Sequence, residues 1–354
     1  MRFFLPLLCL AGGSLGLAAS TITQAAPAPA LLLHEFIYEK APYRSCHAST
    51  IVEPTPGRLV AAWFGGTAEK NPDVGIWVAH FDAKAKTWLP AVEVANGVQP
   101  AGKRHPTWNP VLFQPRGDAP LMLFYKVGPS PQTWWGEVRT SRDGGKSWSP
   151  ARRLPEGFYG PIKNKPVQLA DGTILAPTSD ETDERPSKWR IYFERSADDG
   201  ATWTKTPFLN DGLTIGAIQP SILFHDQIGG SKLQAVGRSR QGKVFTISSE
   251  DAGKTWSPVA FLEGVPNPSA GTDALTLRDG RHLLVCNPVT KGRTPLVVAL
   301  SRDGRDWRQV LTLEDQPGEY SYPAVIQAAD GRLHVTYTWK RQRIRHAVID
   351  PQKL

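Results

Sequence analysis

The sequence predicts an all-β chain built as a six-bladed β-propeller of four-stranded antiparallel blades, and three observations predict it. First, four short segments repeat one pattern of hydroxyl, acid, glycine and tryptophan: Ser141–Trp148 (SRDGGKSW), Ser196–Trp203 (SADDGATW), Ser249–Trp256 (SEDAGKTW) and Ser301–Trp307 (SRDGRDW). Second, their tryptophans step by 55, 53 and 51 residues, and a degenerate earlier copy, Asp82–Trp88 (DAKAKTW), precedes Trp148 by 60. A period of this size marks one supersecondary unit per repeat. Third, six β-rich runs each turn back at a glycine-containing pair, as β-hairpins do.

The hairpins come in order. They are Ile51–Trp63 turning at Pro56-Gly57, Val111–Tyr125 at Gly117-Asp118, Val167–Pro177 at Asp171-Gly172, Ile222–Val236 at Gly229-Gly230, Leu275–Cys286 at Asp279-Gly280, and Val325–Thr338 at Asp330-Gly331. After five of them comes a third strand, the acidic box and a fourth strand; the sixth stops early at His346–Asp350. The N-terminal segment Leu31–Tyr38 therefore supplies the missing strand, and closure between the two termini removes open sheet edges. A parallel β-helix has shorter repeats and no antiparallel hairpins, which excludes it.

Strand direction assigns the faces. If each first strand starts at the top, the second returns there and the third descends, so the boxes lie at the bottom. Asp143, Asp198, Asp251 and Asp303 are then expected to tie backbone N–H groups of their turns, with Trp148, Trp203, Trp256 and Trp307 packing between blades. These acids are spread around a rim and cannot converge, which excludes them as a catalytic set.

Composition narrows the class. Met1, Arg2 and the apolar run Phe3–Leu17 read as a secretory signal, with small residues suited to cleavage at Thr23-Gln24-Ala25. The expected division is a signal peptide over 1–25 and one domain over 26–354, giving a periplasmic or secreted protein; a retained anchor is the alternative. The apolar run is too short to make a convincing span. Lys and Arg number 41 against 33 Asp and Glu, a formal charge of +8, which favours anionic ligands. The basic residues are dispersed apart from Lys340–Arg345 (KRQRIR), read either as a solvated strand edge or as a binding patch. The aromatics follow the structural repeat and not a basic groove, which argues against nucleic acid. Cys46 and Cys286 fall in different repeats and read as small core residues, with a disulfide as the alternative. No CxxC, HExxH or other metal spacing is present, so no metal or cofactor is expected. A monomer is expected.

Residues that begin first strands or follow second strands come together at the top: His47, Asn109, Lys163, Lys165, Gln219, Asp273 and Tyr320 among the former, Glu69, Asp73, Lys126, Asp180, Arg238, Arg293 and Trp339 among the latter. Polar groups gathered from six blades predict a pocket at the central mouth.

With Glu319-Tyr320-Ser321 before a β-run, Gly237-Arg238-Ser239, and Arg293 after Asn287-Pro288, the chain resembles the sialidase (neuraminidase) superfamily along nearly all of residues 26–354. The resemblance implies a six-bladed propeller acting on an acidic glycan. It casts Tyr320 as nucleophile, Arg238 and Arg293 as guanidinium clamps on the substrate carboxylate, and Asp73 or Glu69 as acid/base. Two positions depart from the family pattern. Where an arginine is expected, the sequence reads Tyr43-Arg44-Ser45-Cys46-His47, so either Arg44 supplies the charge or His47 replaces it. Where a glutamate would activate the tyrosine, Gln219 stands, and an amide cannot accept that proton. His47 could then be the base. Asn109, Lys163, Lys165 and Asp273 are further substrate-binding candidates from topology alone.

Three functions stay open on this reading. One is a sialidase-type exo-glycosidase removing terminal sialic acid or a related acidic sugar, and a second is a lyase or hydrolase of uronic-acid glycans such as rhamnosyl-glucuronate. The third is a carbohydrate-binding propeller without catalysis. A tyrosine nucleophile suits an anionic sugar because it avoids driving a carboxylate against the substrate's own.

Overall fold

The computed structural model describes Met1 and residues 29–354, so the expected signal over 1–25 lies, Met1 apart, outside the described residues. Six antiparallel sheets form a ring, each of four strands, and the first carries a fifth, Val92–Ala95, beside Gly75–Asp82. Blades 1 to 6 are named here by their inner strands: Ser45–Thr55, Thr107–Phe113, Val167–Gln168, Ala217–Phe224, Asp273–Thr276 and Tyr320–Gln327. The third is short because Pro161 and Pro166 flank Lys163–Lys165, and proline cannot donate to a ladder.

The ring closes as the sequence requires. Leu31–Phe36 pairs antiparallel with Arg343–Ile349, Leu31 opposite Ile349 and Phe36 opposite Arg345, and so becomes the outer strand of blade 6. Side chains lock this seam. His346 Nδ1 meets Glu35 Oε1 at 2.9 Å, Trp88 Nε1 donates to the same oxygen at 3.1 Å, and His346 Nε2 lies 2.9 Å from His334 Nδ1.

The core is divided between blades, because each sheet is apolar on both faces. Leu275, Val298, Tyr320 and Tyr337 fill the wedge between blades 5 and 6, while Val60, Ile76, Leu123 and Tyr125 fill that between blades 1 and 2. Cys46 and Cys286 are both buried and unbridged, in separate wedges, as small core residues. Burial pushes both thiols up to about 12.

Each box is a closed hydrogen-bonded unit. Ser141 Oγ donates to Asp143 at 2.7 Å and accepts from Gly145 N, and Asp143 accepts from Lys146 N and Ser147 N. The pattern recurs at Ser196, Ser249 and Ser301. Gly145 has φ +90°, a conformation that penalises any Cβ. The box tryptophans then pack inward: Trp203 meets Phe124 edge-on at 6.0 Å, and Trp256 stacks on Phe193 at 4.2 Å. On this bottom face, Arg116 of blade 2 donates to Leu169 O of blade 3, and Arg278 of blade 5 donates to Ala328 O of blade 6.

Candidate functional site

Four inner strands break their register near the top. A left-handed residue sits at each break: Ala48 (φ +55°), Asn109 (+34°), Gln219 (+59°) and Tyr322 (+54°). Non-glycine residues pay about 1–3 kcal/mol each for such backbone, and it persists where the fold over-determines it. The bulge interrupts the strict alternation of strand side chains and re-aims the neighbouring groups.

At the mouth those groups gather on Tyr322. The His47 ring lies 4.1 Å from the Tyr322 ring, centroid to centroid. The guanidinium carbons of Arg238 and Arg293 stand 5.4 and 5.9 Å from that ring's centre, and Lys163 Nζ stands 5.7 Å away. Gln219 Nε2 donates to Tyr322 Oη at 3.4 Å. Five blades thus contribute to one point: 1, 3, 4, 5 and 6.

The electrostatics follow from this crowding. His47 is 2 % exposed and bonded through Nδ1 to Thr338 Oγ1 at 2.9 Å. Burial, then the charges of Arg341, Arg293, Arg238 and Lys163, hold its pKa well below the ordinary histidine value, so the imidazole is neutral. Lys163 is fully enclosed by Asn164 Oδ1, Thr272 O and Pro323 O, and burial brings its ammonium down to about 7 against the opposing pull of Asp273. Two buried polar atoms here have no protein partner, Arg238 Nε and Gln219 Oε1. Unpartnered polar atoms are costly unless a ligand or water meets them.

A second layer braces the first. Arg293 Nη1 donates to Glu319 at 2.7 Å, Arg341 Nε donates to the same oxygen at 2.7 Å, and Arg341 Nη1 reaches Glu69 at 2.7 Å. Burial would raise the Glu319 carboxyl, but Arg341 and Arg293 outweigh it and hold it below the usual range. Arg341 has φ +59° at the turn between the last two strands. A third guanidinium therefore reaches the mouth from within the KRQRIR run.

The expected residues distribute unevenly. His47, Arg238, Arg293, Gln219 and Lys163 come together. Tyr320 does not join them: its side chain is packed in the apolar wedge between blades 5 and 6, and it is Tyr322 that faces His47. The bulge between Ser321 and Ala324 separates the two tyrosines, which share parity in a regular strand. Asp273 and Lys165 form a structural knot: they pair at 2.8 Å, and Asp273 also accepts from Ser221 Oγ and Val325 N, tying blades 3 to 6. Arg44 is exposed at the strand entrance, while Arg341 is the charge that bears most on His47. Asn109 is buried at its bulge in blade 2.

Of the acids, Asp73 caps its own loop, accepting from Thr67 N at 2.8 Å and from the Thr67 hydroxyl. Slight burial pushes its pKa up, but the Thr67 bonds outweigh this and hold it below the carboxylate range. Glu69 is bound to Arg341. Lys126 is buried against Pro161 O, Asp180 pairs with Arg190 at 2.6 Å, and Trp339 packs on Phe36. Cavities of about 420 Å³ open elsewhere: one at the bottom beside Glu53, Gln114, Arg116 and Gln327, and one by the last box beside Arg302 and Asp303. Neither contains a group of the mouth.

Residues 57–335 match the family model described as a BNR repeat-like domain. A curated relative, the anhydrosialidase of Macrobdella decora, is 24% identical over 261 residues, 64% of this chain but only 33% of that protein. The chain thus spans about a third of that relative's length. A crystal structure of a protein of unknown function from Dyadobacter fermentans superposes with TM-score 0.72 and 18% identity, covering 91% of this chain and 100% of that one. The NanB sialidase of Streptococcus pneumoniae superposes with TM-score 0.70 and 14% identity, covering 90% of this chain and 71% of that one.

Proposed function

Because this chain belongs to the BNR repeat-like family and has a sialidase-like propeller fold, we propose that it is a glycosidase that removes a terminal acidic sugar of the sialic acid class from a glycan. The observation that carries the reading is the convergence of Arg238, Arg293 and neutral His47 on Tyr322. Guanidinium groups recognise a carboxylate by paired charge-assisted hydrogen bonds, and Arg238 Nε is a buried donor still waiting for an acceptor. Arg341, fixed by Glu69 and Glu319, adds a third positive charge behind them.

The chemistry then assigns itself to residues. With the sugar carboxylate on the arginines, Tyr322 Oη attacks the anomeric carbon as the bond to the leaving oxygen breaks. Gln219 Nε2 donates to Tyr322 Oη and cannot take the phenol's proton, so the base is His47. Water then displaces Tyr322, its oxygen bonding to the anomeric carbon and the proton it releases balancing the one the leaving oxygen took up on departure; the phenol recovers its proton from His47, and the free sugar leaves.

A second reading is favoured by the same neutral imidazole. A base near cations and beside a tyrosine suits removal of a proton next to a uronate carboxylate, with elimination of the neighbouring glycosidic oxygen. Incubating the protein with sialosides and with rhamnosyl-glucuronate glycans separates the two. Released sialic acid supports the hydrolase, whereas ultraviolet absorbance from an unsaturated uronate moves the assignment to the lyase. Binding of either glycan without turnover removes the catalytic reading. The N-terminal apolar run supports export, tested by sequencing the N-terminus of the protein recovered outside the cytoplasm.

A further inference from the structure

The mouth holds one carboxyl with no assignment so far. Glu181 ends the second strand of blade 3, Ile174–Glu181, directly across the ladder from Trp189. The Trp189 ring has the guanidinium of Arg238 at 5.2 Å and that of Arg240 at 4.2 Å. Arg238 in turn lies 5.4 Å from the ring of Tyr322, so one guanidinium links Trp189 to the centre of the site. Glu181 therefore stands on the blade 3 side of the carboxylate clamp.

Two observations set it apart. Every other carboxyl at the mouth is engaged: Asp73 by Thr67, Glu69 and Glu319 by Arg341, Asp180 by Arg190. Among the described residues Glu181 has no ion-pair partner within 4.0 Å. Around it stand two buried donors: Arg238 Nε, which has no protein partner, and Trp189 Nε1, which faces the Glu181 carboxyl without full hydrogen-bond geometry and draws its pKa down against the larger effect of burial. Arg238 Nε thus leaves on that edge of the mouth a donor for a polar group that the chain does not supply.

We infer that Glu181 is the proton donor to the leaving oxygen, and that the leaving group departs over Trp189 on the blade 3–4 side. This rests on the glycosidase reading above. Burial raises the Glu181 carboxyl above its ordinary value, against the opposing charges of Arg238 and Arg240, which suits an acid that must arrive protonated. As Tyr322 Oη bonds to the anomeric carbon and the bond to the leaving oxygen breaks, that oxygen takes the Glu181 proton. His47 meanwhile holds the phenolic proton. In the second step water adds to the anomeric carbon and gives its proton to the Glu181 carboxylate, while His47 reprotonates Tyr322; the sum is hydrolysis.

The test uses the whole protein and two sialosides, one with a nitrophenyl leaving group and one with a sugar leaving group. A nitrophenolate departs without a proton, whereas an alkoxide needs one. Glu181→Gln is expected to lose about 10²–10⁴-fold in kcat/KM on the sugar-linked substrate, the range for general acid catalysis, and to stay near wild type on the aryl substrate. The alkaline limb of its pH profile should also vanish, and Glu181→Asp should recover part of the loss. Equal loss on both substrates in a variant of unchanged melting temperature overturns the inference, as does loss on neither. If Asp73→Asn instead shows the leaving-group dependence, the acid is Asp73. A wild type that turns over neither sialoside defeats the glycosidase reading itself, and this inference with it.

Discussion

Tyr320 and Tyr322 differ by two positions, and although both are buried against apolar neighbours only Tyr322 also meets the charged groups of the mouth. Tyr320 is 1 % exposed in an apolar wedge, and Tyr322 is the point on which two arginines, a lysine and a histidine converge. Tyr322→Phe is therefore expected to remove turnover by about 10²-fold or more, the scale of losing a reacting group, and Tyr320→Phe to leave it intact. Tyr320→Ala should instead cost about 3–5 kcal/mol of stability, measured by denaturant unfolding, as for other large core truncations. His47 gives a second check. Because burial and then Arg341 hold it neutral, an acidic limb governed by His47 lies well below pH 6.5, and Arg341→Ala should move it to higher pH by removing a positive neighbour. A limb that does not move separates His47 from the chemistry.

At the scale of the element, the boxes make a pH prediction whose sign is fixed by their hydrogen bonds. Hydroxyl and backbone donors hold Asp198, Asp251 and Asp303 at about 2, below the ordinary 3.8. Over that window the unfolded chain binds more protons than the folded one, so acidification from pH 4 to pH 2 lowers stability. The melting temperature of wild type should fall across it, and that of Asp251→Asn should fall less. These boxes, with their fixed Ser, Asp, Gly and Trp, were the most legible part of the sequence because each is a local unit that writes its own contacts. The hairpins and the closing strand were legible for the same reason, through turn residues and alternation. The mouth was legible only by position. Which tyrosine faces it depends on a left-handed bulge at Tyr322, and Arg341 enters from a turn whose neighbours Lys340 and Arg343 pack on Trp339. Neither arrangement leaves a period or a motif. Glu181 was hidden too, since its partner Trp189 is set by pairing across a ladder.

For the whole molecule, the seam decides integrity. Glu35 binds both His346 and Trp88, so Glu35→Ala should cost about 1–3 kcal/mol, the usual penalty for orphaning buried polar partners, and should be read as a lower melting temperature. The seam also titrates. Burial, with His346 beside it, lowers His334 to about 4, and away from the seam, in blade 5, burial with His225 lowers His282 to about 4. Both are neutral in the fold and take protons more readily when unfolded, so stability declines as pH falls from 6.5 toward 4. That window precedes the one set by the boxes, and His334→Gln should flatten it. The seam has a temporal consequence as well. Leu31 is among the first described residues and pairs with Ile349 near the end of the chain. Blades can form in succession from local hairpins, but this strand has no partner until the last one exists, and contacts so distant along the chain form late because loop closure must precede their reward. Refolding should therefore end in a slow sealing phase, visible to a fluorophore across Leu31–Phe36 and silent in the hairpins.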